Sequence, residues 1–273
     1  THIHDFCPHA IHLTDDYSEM TIGATAYINL STSGKQWIDN LNGCVTIDTF
    51  SIQNGHKQAV MEQMKLLIGH EIKNGKSAHR LQLQSDYVTA NMSGEYQYTT
   101  LKNTIQQIIS TYLPSLVAKP KKKNRQPNDL TFYAYFRELG QISDVLNLDI
   151  SLPHYPTIKG TINECTQQVE LQAYIPSINT SGTNIKDLTI ALNNQNNALD
   201  LSVYMYNRLP KHNPTAAKIG DVKAHINMAA QNDEIELQVS LDNTDSVRNE
   251  GVINITSSIA RYANKPLFDI HIH

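Results

Sequence analysis

Short runs of alternating apolar and polar residues, separated by Asn, Gly and Asp, occupy most of residues 158 to 273. Taking every second residue gives Val169, Leu171, Ala173, Ile175; Leu188, Ile190, Leu192; Leu199, Leu201, Val203, Met205; Val222, Ala224, Ile226, Met228; and Ile235, Leu237, Val239, Leu241. A period of two predicts a strand with one apolar face. The positions between are mostly polar (Glu170, Gln172, Thr189, Asp200, Ser202, Glu236, Gln238, Ser240), so the other face is solvated, as in an antiparallel sheet with one wet side.

Residues 19 to 98 read similarly. Ile22, Ala24, Ala26, Ile28 and Leu30 alternate, as do Val45 and Ile47, after which the phase resumes at Phe50 and Ile52 before a Gln53-Asn54-Gly55 turn. The run Val60 to Ile68 fits either a strand or a helical stripe, and strand is preferred. Leu81, Leu83 and the stretch Tyr87 to Tyr98 continue the pattern, with Gly94 expected to loosen one strand. The period then changes. Thr100 is placed to cap a helix whose Leu101, Ile105, Ile108, Ile109, Tyr112 and Leu113 form one stripe, ended by Pro114. Packing Ile105, Ile109 and Leu113 onto the apolar face of the sheet is the simplest use of that stripe; a membrane-lying helix would carry more basic residues than Lys102 alone.

A basic, proline-flanked run from Lys119 to Asp129 follows and reads as an exposed linker, with anionic headgroups as its alternative contact. Strands restart at Leu130, Phe132, Ala134 and Phe136, and Ile142 to Leu146 suggests a helical turn. The expected organisation is a strand-rich segment over 1–98, the helix within 99–118, the linker over 119–129 and a second strand array over 130–273. Nothing precedes Thr1 that reads as a signal peptide, and the chain stops inside the alternation Phe268, Ile270, Ile272, so the sequence is expected to be a piece of a longer protein.

Composition narrows the chemistry. A net charge of −4 with 18% charged residues argues against nucleic-acid binding. No apolar stretch approaches the roughly 20 residues of a membrane-spanning helix. Cys7, Cys44 and Cys165 fit no metal spacing and read as buried or incidental thiols, with one bridge as the alternative. Among twelve histidines, His2 with His4 and His271 with His273 are spaced to share a strand face and chelate a metal, but neither pair has a third ligand at motif spacing. Ordinary edge strands with polar outward faces are the preferred reading, and no metal or other cofactor is expected. No nucleophile elbow, P-loop, dinucleotide fingerprint, HExxH or helical carboxylate pair is present. Asp15, Asp16, Glu164, Asp233, Glu234 and Asp242 fall at turns, where carboxylates solvate or cap. A non-enzymatic protein is expected.

The segments LQSDYVTANMSGEYQY, YLPSL, DLTFYAYF, LPHYPTIKGTIN, VELQAYIPSI and NIKDLTIAL resemble the TamB family of AsmA-like, bridge-like lipid-transfer proteins over roughly residues 81 to 205. That resemblance implies an all-β protein in which an extended antiparallel sheet curls into a groove, with one amphipathic helix. It also implies a periplasmic location in a Gram-negative bacterium, an N-terminal inner-membrane anchor, and an outer-membrane barrel partner that binds through a region absent from these residues. Phospholipid acyl chains would then lie on Leu171, Ala173, Ile175, Leu188, Ile190, Leu192, Leu201, Val203, Met205, Ile226, Met228, Leu237 and Val239, in a trough about 25 Å across. The implied activity is phospholipid conduction between the two membranes, support of outer-membrane protein assembly, or both. The alternatives are a β-helical or sandwich adhesin or scaffold, and an enzyme. Tyr174, Tyr204 and Tyr206 fall on the opposite phase from the groove set, which suits a smooth trough better than a jigsaw core.

Overall fold

A computed structural model describes residues 2–7, 20–120, 126–137, 139–180, 183–208, 221–243, 250–263 and 265–273. Seven strands come first: β1 (His2–Phe6), β2 (Met20–Ser31), β3 (Asn42–Asn54), β4 (Lys57–Met61), β5 (Met64–Lys73), β6 (Lys76–Ser85) and β7 (Val88–Glu95). A 3-10 turn, Tyr98–Thr100, leads into helix α1 (Leu101–Tyr112). Then come β8 (Asp129–Phe136), the short helix α2 (Gly140–Val145), β9 (Thr157–Asn163), β10 (Gln168–Thr180), β11 (Thr183–Asn193) and β12 (Leu199–Arg208). The last strands are β13 (Val222–Gln231), β14 (Glu234–Asn243), β15 (Glu250–Tyr262) and β16 (Lys265–Ile272).

All sixteen strands belong to one antiparallel sheet in which chain neighbours pair, except that β3 holds both β4 and β5 along different halves of its length. The sheet is open, with β1 and β16 at its two edges, and it curls into a groove. The helix and linker interrupt the sequence without interrupting the sheet, because β7 pairs directly with β8 from Val88↔Phe136 to Glu95↔Asp129. The two expected strand segments therefore meet edge to edge. Of the basic linker, residues 121–125 lie outside the described residues, as do Asp15 and Asp16.

Local sequence accounts for several irregularities. The phase change between Ile47 and Phe50 is a β-bulge: Thr25 faces Thr49 while the next residue, Ala26, faces Ile47, leaving Asp48 as the extra residue. Asn74 and Gly75 both take positive φ (50° and 76°) in the tight turn between β5 and β6, and Asn232 with Asp233 (54° and 64°) do so between β13 and β14. Between β4 and β5, one carboxylate oxygen of Asp86 accepts the backbone N–H groups of Glu62 (2.7 Å) and Gln63 (3.2 Å), so the Val60 to Ile68 run is strand on either side of a jog.

Gly94 does not loosen its strand. At φ +147°, a Cβ there would strike the Asp129 carbonyl and come within 2.7 Å of Leu130 Cα, so the glycine permits a close approach of β8.

Candidate functional site

Register carries the apolar face across the whole sheet. One row runs through Ile28, Val45, Leu66, Leu83, Ala90, Ala134, Ile158, Ala173, Ile190, Val203, Ile226, Val239 and Ile253, each directly opposite the next. A second row joins Ile68, Leu81, Met92, Phe132, Gly160, Leu171, Leu192, Leu201, Met228, Leu237, Ile255 and Ile272. Thirteen strands at about 4.8 Å spacing make the first row about 58 Å long. A third row pairs Ile175 with Leu188, and Met205 with Ala224. All thirteen residues that the family resemblance assigned to a groove therefore share one face, and none of them ionises. Glycine interrupts the second row only where Phe132 covers it: a Cβ on Gly160 would lie 2.6 Å from Phe132 Cζ.

The burial of this floor is intermediate. Of the thirteen residues only Ala173 is buried; the other twelve remain partly exposed. A dry core would bury them to the level seen at Ile108 (3% exposed). The opposite face carries Tyr174 and Tyr204, both exposed, together with Ser202, Asn227, Gln238 and Asn254, as the polar phase requires. Tyr206, also on that phase, donates to the Asp221 carboxylate at 2.6 Å.

Two helices cover opposite rims. Ile108, Tyr112 and Leu113 of α1 and its C-terminus form the one buried apolar cluster described, with Leu199, Ala230 and Ile259, and Ile109, Ile162, Val169, Leu192 and Ile235 pack around it. These residues span β9 to β15, about 29 Å of sheet at strand spacing, yet they converge on a helix about 18 Å long, so the sheet curls around α1. Ile105 is 47% exposed and leaves the expected stripe, which turns instead towards Ile108 and Tyr112. The reason is a polar hub that fixes the helix rotation. Thr104, fully buried, donates to Glu164 (2.7 Å) and accepts from the buried Asn128 amide (2.6 Å). Asn128 Nδ2 also reaches Thr100 Oγ1 (3.0 Å), its Oδ1 accepts the Gln97 N–H (2.8 Å), and its backbone exchanges two bonds with Glu164. Thr100 thus serves the hub and the Gln97 carbonyl; it makes no side-chain cap to the helix, contrary to its expected role. Asp233 ties down the other helix end, accepting the N–H (2.7 Å) and hydroxyl (2.9 Å) of Ser115 while its own N–H donates to the Tyr112 carbonyl. Glu164 and Asp233 are therefore clamps at turns. On the other rim α2 packs on β4, with Val145 fully buried and its carbonyl accepting from Asn54 Nδ2 at 2.9 Å.

The first rim also holds a cluster that the sequence reading passed over. His70 and His79 stack at 4.9 Å beside Tyr96 and Tyr98, and Asp39 lies against them. Burial pushes the phenols of Tyr96 and Tyr98 above the usual range and, with its neighbour His79, lowers the His70 imidazole below it. The turn residues Asn74-Gly75 were the available signal, because a two-residue hairpin loop between Lys73 and Lys76 makes paired positions sum to 149 and sets 70 opposite 79.

Neither histidine pair near the termini assembles a metal site among the described residues, and no group of three or more His, Cys, Asp or Glu suited to a metal is found there. The side chain of His4 lies outside them. His271 on edge strand β16 and His273 just past its end are both exposed, with rings 6.5 Å apart, and His271 lies 3.5 Å from Asp269. The three cysteines are free thiols, Cys165 exposed and the others half-buried. No helix among the described residues is long and apolar enough to cross a membrane.

Comparison with protein-family models, curated proteins and solved structures finds no match to this chain.

Proposed function

We propose that the chain is a length of lipid-conducting trough, in which phospholipid acyl chains lie along the apolar floor while their headgroups stay in water. The observation that carries this reading is the floor itself: an apolar row unbroken over thirteen strands, only partly covered, and free of ionisable groups. Sliding along such a surface needs no polar recognition and meets no barrier, because each lateral step exchanges one aliphatic contact for another of similar strength. A catalytic site has the opposite requirement, convergent polar groups in a concave pocket.

The resemblance to the TamB family adds the cellular setting. On that reading the chain belongs to a periplasmic protein anchored in the inner membrane and working with an outer-membrane barrel, through regions that these residues do not supply. Conduction between the two membranes, with support of outer-membrane protein assembly as a second output, is the function proposed. A scaffold without lipid is the alternative outcome.

The test uses a photo-crosslinking amino acid at Ile226 or Leu66 on the floor and at Tyr204 on the outer face. Lipid adducts found by mass spectrometry at the two floor positions and absent at Tyr204 are expected; no adduct at either floor position overturns the proposal.

A further inference from the structure

The histidine cluster stands at the rim where the loop of residues 32–41 and the 3-10 turn before α1 close over β5 to β7. His79 is 3% exposed, and its Nε2 donates to the Asp39 carbonyl at 2.5 Å, which leaves Nδ1 as the bare ring nitrogen, buried with no partner. His70 Nε2 is likewise buried without one. Tyr96, fully buried, and Tyr98 each set their rings 5.0 Å from that of His79. Asp39, 1% exposed, accepts both the N–H (3.1 Å) and the hydroxyl (2.5 Å) of Thr99, the residue that opens onto α1. One loop residue therefore joins the imidazole pair to the helix.

The groups facing the pair are few. The loop presents the Asp39 carboxylate, the segment after β7 presents two neutral phenols, and Asn42 spends its side-chain oxygen on the His70 backbone N–H (2.6 Å). Glu71, Arg80 and Glu95 alternate onto the outer face of the same strands. A proton added at His70 Nε2 becomes an N–H with no acceptor, in a place walled by aromatic rings and 4.9 Å from a second imidazole. The one nearby carboxylate is already committed to Thr99.

We infer that His70 and His79 form an acid-released latch, closed while His70 is neutral and opening when it charges against the His79 ring, so that the loop of residues 32–41 and the Tyr96 to Thr100 segment lift from the rim. The lowered proton affinity of His70, in which burial and His79 outweigh the opposing pull of Asp39, agrees with this. That an open latch widens access to the floor rests on the lipid reading; the latch itself does not.

Hydrogen-deuterium exchange of the full chain without lipid, corrected for intrinsic rates at pH 7.5 and 5.0, tests it. Amides of residues 97–100 and 32–41 should lose about tenfold or more of their protection at pH 5.0, while β12 and β13 keep theirs. His79→Gln retains an amide donor for Asp39 and removes the ring that opposes a charge on His70, so it should lose less of its protection at pH 5.0 than the wild type. His70→Phe keeps the stack and cannot take a charge, so its protection should persist at pH 5.0. Equal wild-type protection at both pH values, or an acid loss of protection that survives in His70→Phe, overturns the latch; if His79→Gln is already open at pH 7.5, the His70→Phe comparison decides. Because lipid is absent, failure here leaves the trough reading standing, and a trough that takes no lipid leaves the exchange result intact.

Discussion

Placing a carboxylate on the trough floor separates an open groove from a dry interior. Val203 sits mid-floor, opposite Ile190 on one side and Ile226 on the other, and is only partly buried. Full burial of such a side chain contributes about 1.5 to 3 kcal/mol, so Val203→Asp forfeits about 1 kcal/mol of apolar contact. The poorer strand propensity of Asp removes up to about 1 kcal/mol more. The new carboxylate keeps access to water, and so incurs only a fraction of the several kcal/mol that isolating a charge would cost. The sum is about 2 to 3 kcal/mol, a melting-temperature loss of about 4 to 5 °C for a chain of this size. Ile108→Asp is the internal contrast: at 3% exposure, packed with Tyr112, Leu113 and Leu199, it strands an unpaired charge and should cost about 4 kcal/mol or more. Thermal melts followed by circular dichroism, with limited proteolysis to detect release of α1, read both. A Val203→Asp protein that fails to fold, or melts as low as Ile108→Asp, would refute the open floor; a folded variant that has lost floor crosslinks to lipid agrees with conduction.

Thr104→Val preserves shape but leaves the Asn128 amide and the Glu164 carboxylate each short of a partner, so it should cost about 1 to 3 kcal/mol and expose α1 to protease. Ile105→Gln, on the exposed side of the same helix, should change stability by no more than about 0.5 kcal/mol. Gly160→Ala puts a methyl group 2.5 Å from the Glu170 carbonyl and against the Phe132 ring, an overpacking worth about 1 to 3 kcal/mol in a melt. The raised Tyr96 phenol keeps its proton in the folded chain where the unfolded chain has lost it, so stability should fall as pH rises above about 10, less steeply in Tyr96→Phe. At the acid end the sign follows from His70: the unfolded chain takes a proton near pH 6.5 that the folded chain resists, so stability falls as pH drops below that value, and pH-dependent melts that stay flat between about 7 and 5 would contradict it.

Most of the sheet was legible in the sequence because alternation encodes it directly. Leu171, Ile190, Val203 and Ile226 repeat every second residue, and antiparallel pairing of chain neighbours needs only short turns to place them in one row. The phase slip after Ile47 was visible as well, and it is the bulge at Asp48. What periodicity could not give was the rotation of α1. Leu101, Ile105, Ile108, Ile109, Tyr112 and Leu113 form one wide stripe, and its turn towards Ile108, Tyr112 and Leu113 and away from Ile105 was set by Thr104, Asn128 and Glu164, polar residues up to 60 positions apart that an apolar pattern ignores. Gly94 misled for a related reason: a glycine weakens a strand in isolation, but here the neighbouring backbone occupies the space of its missing side chain. The histidine cluster was hidden because Asp39, His79 and Thr99 meet only in three dimensions.

Because nearly every strand hydrogen-bonds to the one before it in the chain, the sheet has the logic of a zipper. Contacts between consecutive strands close small loops, so folding can advance one hairpin at a time without waiting for distant partners. The same property makes length a free variable. Removing a hairpin such as β5–β6 would delete two rungs, about 10 Å of contour, and leave flanking strands of matching polarity and phase to rejoin. A lineage could thus tune the length of such a sheet by duplicating or losing hairpins, as long as the strands that grip α1 and α2 are spared.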